Sequence, residues 1–161
     1  MLIEYFLKNP TSEIYPQQLE KRLNMSRKSM FDALQAAFDA GLLELKETGR
    51  TKQYKLKRDI PIVKQLKILF SIDFLIGFLE KFKGSGMEIY LFGSAARGED
   101  TEKSDIDLLV LGDRPKNEVL GRLAEKEGLK PVYFSYLEYS SLARKDKPFY
   151  ERVEKDKIRL I

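Results

Sequence analysis

The segment from Glu88 to Leu111 constrains this chain more than any other. Two apolar runs, Glu88-Ile89-Tyr90-Leu91-Phe92 and Ile106-Asp107-Leu108-Leu109-Val110-Leu111, have the length and the β-branched and aromatic content of strands, the second of them buried. Between them stands Gly93-Ser94-Ala95-Ala96-Arg97-Gly98, in which Ala95 to Gly98 makes one helical turn. A strand that ends in Gly-Ser and opens a short helix lets the backbone approach a phosphate closely and aim amide donors at its oxygens. On the second strand, residues i and i+2 share a face, so Asp105 and Asp107 converge while Ile106 and Leu108 point into the core. Two carboxylates on one face form a hard-oxygen site suited to Mg²⁺.

The residues missing from the chain narrow the chemistry further. Its 161 residues contain no Cys and no His, which removes disulfides, thiolate nucleophiles and every acid–base step through an imidazole. An enzyme built from this sequence must work with carboxylates, Lys, Tyr, Ser and bound hard metal ions. With 43% hydrophobic and 34% charged residues the composition is that of a charge-rich globular protein. The first residues lack the pattern of a secretory signal, and the longest apolar run, Ile68 to Leu79, is interrupted by Ser71, Asp73 and Gly77. The expectation is a soluble, cytoplasmic protein with no membrane partner.

The length admits two small domains, and the patterning divides accordingly. Over residues 1–60 the reading is three short helices and a hairpin. Leu2, Ile3, Phe6 and Leu7 give the first helix an apolar face; Pro16 opens a second, ending at Leu23. Ser26 caps a third, in which Met30, Phe31, Leu34, Ala37 and Phe38 recur at helical spacing until Gly41. Alternation at Leu43 and Leu45, then at Tyr54 and Leu56, gives two strands around Thr48-Gly49-Arg50-Thr51. Residues 61–83 read as a linking helix with large hydrophobes all round, buried on more than one side and able to carry a homodimer contact. Lys83-Gly84-Ser85-Gly86 then breaks the chain. Residues 84–161 alternate strand and helix: strands over 88–92, 106–111, 132–137 and 158–161, helices over 118–127 and 148–155. The fold class expected is α+β.

Gly93-Ser94, ten residues, then Asp105-Ile106-Asp107 resembles the signature of the DNA polymerase β-like nucleotidyltransferase superfamily, in particular its minimal nucleotidyltransferase branch. The resemblance implies a mixed β-sheet flanked by helices and transfer of a nucleoside monophosphate from a nucleoside triphosphate such as ATP to a hydroxyl. By position, Asp105 and Asp107 become catalytic metal ligands for Mg²⁺, Gly93 and Ser94 grip the triphosphate, and Arg97 makes a second phosphate contact. Such a site needs no imidazole, because the protein mainly supplies position and charge. Members of the family place a third carboxylate on a later strand. Here the middle of that strand holds no Asp or Glu; Ser135 or Tyr133 falls at the expected place, and Glu138 is the nearest acid.

The order helix, helix, turn, helix and hairpin in residues 1–60, and the stretch from Ser26 through Glu44, resemble prokaryotic winged helix-turn-helix regulators. Residues 1–60 hold 11 Lys/Arg against 8 Asp/Glu, and residues 84–161 hold 14 against 15, so the basic excess lies in the first half. In that family the third helix enters the major groove and the hairpin lies along the backbone. Arg27, Lys28 and Gln35 on the helix, with Arg50 and Lys52 on the wing, are then the residues facing duplex DNA. The expected activity is Mg²⁺-dependent nucleotidyl transfer to a protein or nucleic-acid acceptor. Among minimal nucleotidyltransferases that acceptor can be a partner toxin. The alternative is a DNA-binding transcriptional regulator whose degenerate nucleotidyltransferase domain only senses nucleotide.

Overall fold

A computed structural model describes residues 2–49, 51–113 and 116–161. The chain divides into two compact units, one ending at Leu66 and one running from Lys67 to Ile161. The first contains α1 (Leu2–Lys8), α2 (Pro16–Leu23), α3 (Arg27–Asp39), and the antiparallel pair β1 (Leu43–Thr48) and β2 (Thr51–Leu56). Pro16 occupies the first turn of α2, where its missing N–H costs nothing, and Asn24 ends that helix in the left-handed region at φ 49°. Ser26 caps α3 by accepting the Ser29 amide at 3.2 Å. Phe6, Leu19, Met30, Leu34, Leu43 and Leu56 are fully buried, and Ile14 bridges to Tyr54 beside the hairpin. Only one stripe of α3 is buried, formed by Met30, Leu34 and Ala37; Phe31 and Phe38, expected on it, are exposed at 43% and 39%.

Helix α4 (Pro61–Leu79) crosses the division between the units. Within the second unit it is followed by a short 3₁₀ turn at Glu80–Phe82 and buries Leu75 and Leu79. The expectation of burial on more than one side is corrected: the buried positions Lys67, Ser71, Leu75 and Leu79 recur every fourth residue as a single stripe, and Leu69, Phe74 and Ile76 are exposed, as is Ile62 in the first unit.

The second unit is a four-stranded mixed sheet, in the order β5-β4-β3-β6, with β5 at one edge. β3 (Glu88–Phe92) runs antiparallel to β4 (Ile106–Leu111) and to β6 (Ile158–Arg159), while β4 and β5 (Leu129–Phe134) are parallel. A parallel pair needs a crossover, which α6 (Lys116–Ala124) supplies. Helices cover both faces, so Leu108 to Leu111 are all buried instead of alternating. On one face Ile89, Leu91, Leu108 and Val110 pack with Leu75, Leu79, Val119 and Leu123. On the other, Phe92, Leu109 and Leu111 pack with Tyr139 of α7 (Tyr136–Lys145) and Val153 of α8 (Lys147–Asp156). Each fully buried leucine contributes roughly 2 kcal/mol of transfer free energy.

Three boundaries differ from the sequence reading. β5 begins and ends three residues earlier than 132–137, β6 is shorter than 158–161, and the chain from Tyr136 onward is helical. Ser135 accepts the Glu138 amide at 3.2 Å while the Glu138 carboxylate accepts the Ser135 amide at 2.8 Å, a reciprocal cap that ends the strand. Among the described residues no helix is long and apolar enough to cross a membrane.

Candidate active site

The antiparallel register of β3 and β4 sets Phe92 opposite Asp107, so the chain leaving β3 turns directly over that carboxylate. The turn begins at Gly93, where φ is +76°, and continues into the single-turn helix α5 (Gly93–Ala96). A Cβ on Gly93 would collide with Asp107 Oδ2. Gly93 is therefore required by its backbone conformation and by the carboxylate against its Cα. The structure brings Gly93 and Asp107 together, with Ser94 next in α5, and Asp105, just before β4 begins at Ile106, is near enough to Asp107 for the two carboxylates to repel each other.

Burial pushes the Asp107 carboxyl above its ordinary value; repulsion from Asp105 adds to the rise, while Lys130, Arg152 and Arg97 work against it. Lys130 and Arg152 were not singled out from the sequence. Lys130 pairs with Asp107 in the parallel β4/β5 register, and its Nζ lies 2.5 Å from Asp105 Oδ2. The Asp105 carboxylate in turn holds the Lys130 ammonium above its usual proton affinity. Arg152 sits on α8, over the same face of the sheet. The signal that finds Lys130 is the strand register, which no single sequence states; Arg152 is found only through the packing of α8.

Arg97 closes α5 and is anchored in two directions: its Nε donates to Glu99 Oε2 at 2.9 Å, and its Nη1 to Asp156 Oδ2 at 2.5 Å. It thus ties the Gly-Ser turn to the end of α8 and keeps a positive charge beside Asp107. The chain leading to Asp105 is fixed at a second point. Lys67, 2% exposed, donates to the Asp100 carbonyl at 2.9 Å and lies 2.8 Å from Asp100 Oδ2. Asp100 Oδ1 is buried with no hydrogen-bond partner among the described residues. Beyond it, the Thr101 amide donates to Ser104 Oγ at 2.9 Å and the Ser104 amide to the Thr101 carbonyl at 3.0 Å, a compact turn that delivers Asp105.

Neither residue expected in place of a third acid faces the pair. Tyr133 packs on the opposite face, in the cluster with Leu108, and Ser135 and Glu138 are engaged in capping α7. The β5 residues on the face of Asp107 are Lys130, Val132 and Phe134, a cation and two apolar side chains. Among the described residues no group of three or more acids is gathered for a metal ion. The donor set that is present, Asp105 and Asp107 beside a turn that tolerates no Cβ, is of the hard-oxygen kind that fits a single divalent ion. It does not offer a second ion a site of its own.

In the first unit, Arg27 and Lys28 lie on the exposed start of α3, with Arg27 Nε 3.4 Å from Glu20 Oε1. Gln35 donates to Asp39 Oδ1 at 2.8 Å. Lys52 is 3.3 Å from Glu47 across the hairpin, Lys46 is 3.3 Å from Glu13, and Lys55 lies between Glu13 and Glu44 at 3.6 and 3.7 Å. Arg50 falls outside the described residues.

Comparison with known proteins places this geometry. Residues 72–160 match the family model described as "Nucleotidyltransferase domain". A Methanocaldococcus jannaschii protein assigned as a protein adenylyltransferase is 49% identical over 41 residues, 26% of this chain and 41% of the relative, so the match spans about two-fifths of that relative's length. A crystal structure of a Sulfolobus solfataricus protein assigned as a nucleotidyltransferase aligns with a TM-score of 0.39 and 18% identity, over 60% of this chain and 85% of that one. With the family match covering more than half of the chain and enclosing the Gly-Ser turn and both carboxylates, this chain belongs to the nucleotidyltransferase family of enzymes.

Proposed function

We propose that the second unit transfers a nucleoside monophosphate, from ATP with Mg²⁺, to a hydroxyl group on a protein acceptor. The observation that carries this reading is the packing of Gly93 on Asp107, which brings an anion-accommodating turn to a carboxylate pair. Asp105 and Asp107 are the residues that would hold Mg²⁺, which when bound neutralises charge developing on the phosphates and lowers the barrier to attack by the hydroxyl. Lys130, Arg152 and Arg97 add positive charge around the polyphosphate, so that two carboxylates do not repel it. The acceptor oxygen bonds to the α-phosphorus, the bond to the β-phosphate oxygen breaks, pyrophosphate leaves, and the hydroxyl proton departs through the carboxylate pair. The protein acceptor is supported by the assignment of the Methanocaldococcus jannaschii relative as a protein adenylyltransferase.

The first unit is read as a winged-helix module that docks the acceptor. Its hairpin lysines are already matched to Glu13, Glu44 and Glu47, which leaves little net charge for a phosphate backbone, while α3 presents Phe31 and Phe38. The test is transfer of label from α-labelled ATP to protein in a lysate of the native host, with Mg²⁺. Labelled protein is expected with the unaltered chain and none with Asp105→Ala or Asp107→Ala. Label on nucleic acid instead would move the acceptor class, and nucleotide binding without transfer would support the sensing regulator.

A further inference from the structure

Lys130 occupies a position where a nucleotide-binding carboxylate pair has no evident use for a cation that binds it. It stands in register with Asp107, on the same face of the sheet, and its ammonium is 2.5 Å from Asp105 Oδ2. Both side chains of that pair are well exposed, 66% for Lys130 and 43% for Asp105. An ion pair so exposed is worth only about 0 to 1 kcal/mol, so a divalent ion arriving with a triphosphate can displace the ammonium from Asp105. The displaced group cannot go far, because its backbone is held in β5 directly beside β4. It remains within a flexible stem's reach of the space that both carboxylates line.

We propose that Lys130 is a tethered counter-ion that exchanges partners: it neutralises Asp105 while the site lacks nucleotide and moves onto the phosphates when Mg²⁺–nucleotide takes Asp105. The inference rests on the nucleotidyl-transfer reading and adds to it the exchange of partners by Lys130. The charge balance argues for the exchange. Among the described residues the pair is joined by no third acid, and a polyphosphate entering beside Asp107 needs positive charge from the side that β5 forms. Because the competition operates without substrate, it can be read from metal binding alone.

The experiment titrates Mn²⁺ alone, followed by the electron paramagnetic resonance of the free ion, into the full chain and into Lys130→Gln and Lys130→Asp. Calorimetric titration of ATP in excess Mg²⁺ accompanies it. Removing the competitor is expected to tighten Mn²⁺ binding about two- to fivefold in Lys130→Gln, with a larger gain in Lys130→Asp, whose added carboxylate supplies a third donor. ATP affinity in Lys130→Gln is expected to fall about tenfold or more, through loss of a charge-assisted contact. A merely structural surface lysine would move neither quantity. Unchanged Mn²⁺ affinity, or unchanged ATP affinity, overturns the exchange. If the unaltered chain binds ATP and Asp107→Asn abolishes it while the Lys130 variants match the unaltered chain, the site stands and only the role of Lys130 falls. If the unaltered chain binds neither Mn²⁺ nor ATP, the site reading falls and the exchange with it.

Discussion

Gly93 meets two demands at one Cα. A side chain there would have to adopt φ +76°, at about 1–2 kcal/mol, and would displace the Asp107 carboxylate. Gly93→Ala is expected to lower stability by about that amount and to reduce label transfer far more, which thermal melts and the transfer assay measure side by side. Asp107 gives the opposite balance. Burial raises its carboxyl above the ordinary value, so the folded chain binds this proton more readily than the unfolded chain does. Ionised Asp107 therefore detracts from stability above its folded pKa, and the penalty fades as pH falls through that value. Asp107→Asn is expected to melt higher than the unaltered chain at neutral pH, with the advantage shrinking in acid and transfer lost throughout. The turn and the two carboxylates were legible because their spacing and strand periodicity are local. Lys130 was not, because its meaning depends on which residue of β4 it pairs with.

At the scale of elements, the run Val132-Tyr133-Phe134-Ser135-Tyr136-Leu137 looks continuous by β propensity and folds as the end of a strand, a cap and the start of a helix. The competing signal was present in the Ser135 to Glu138 spacing, and the capping box outweighs the aromatic side chains. Ser135→Ala is expected to cost about 1 kcal/mol of stability and to leave nucleotide affinity unchanged, since Ser135 is remote from the β4 register of the pair. Lys67 is an element-level residue of another kind. A lysine within an apolar helix reads as a solvated charge, yet it is buried against Asp100 and holds the segment that leads to Asp105. Lys67→Met would leave the Asp100 carboxylate without its cation, an expected loss of about 3 kcal/mol, seen as a lower denaturant midpoint.

For the molecule as a whole, charge is matched within each unit more completely than a net charge of +4 suggests. The first unit is expected to bind duplex DNA only in the nonspecific range, with a dissociation constant of about 10⁻⁴ to 10⁻⁶ M at physiological salt. Fluorescence anisotropy across a salt series checks this; tight, sequence-selective binding that Arg27→Ala weakens would restore the regulator reading. The sequence reading sets its boundaries at residues 60 and 83, whereas the structure divides between Leu66 and Lys67, inside α4, a single uninterrupted helix in which no change of composition marks the division. The edge position of β5 has a further consequence. Gly128 and Phe134 turn their carbonyls toward β4, so alternate residues, Pro131 among them, turn their backbone outward. Where an incoming strand would need an amide donor, the ring of Pro131 offers none, and the sheet is guarded against being extended by another chain on the same flank that carries Lys130.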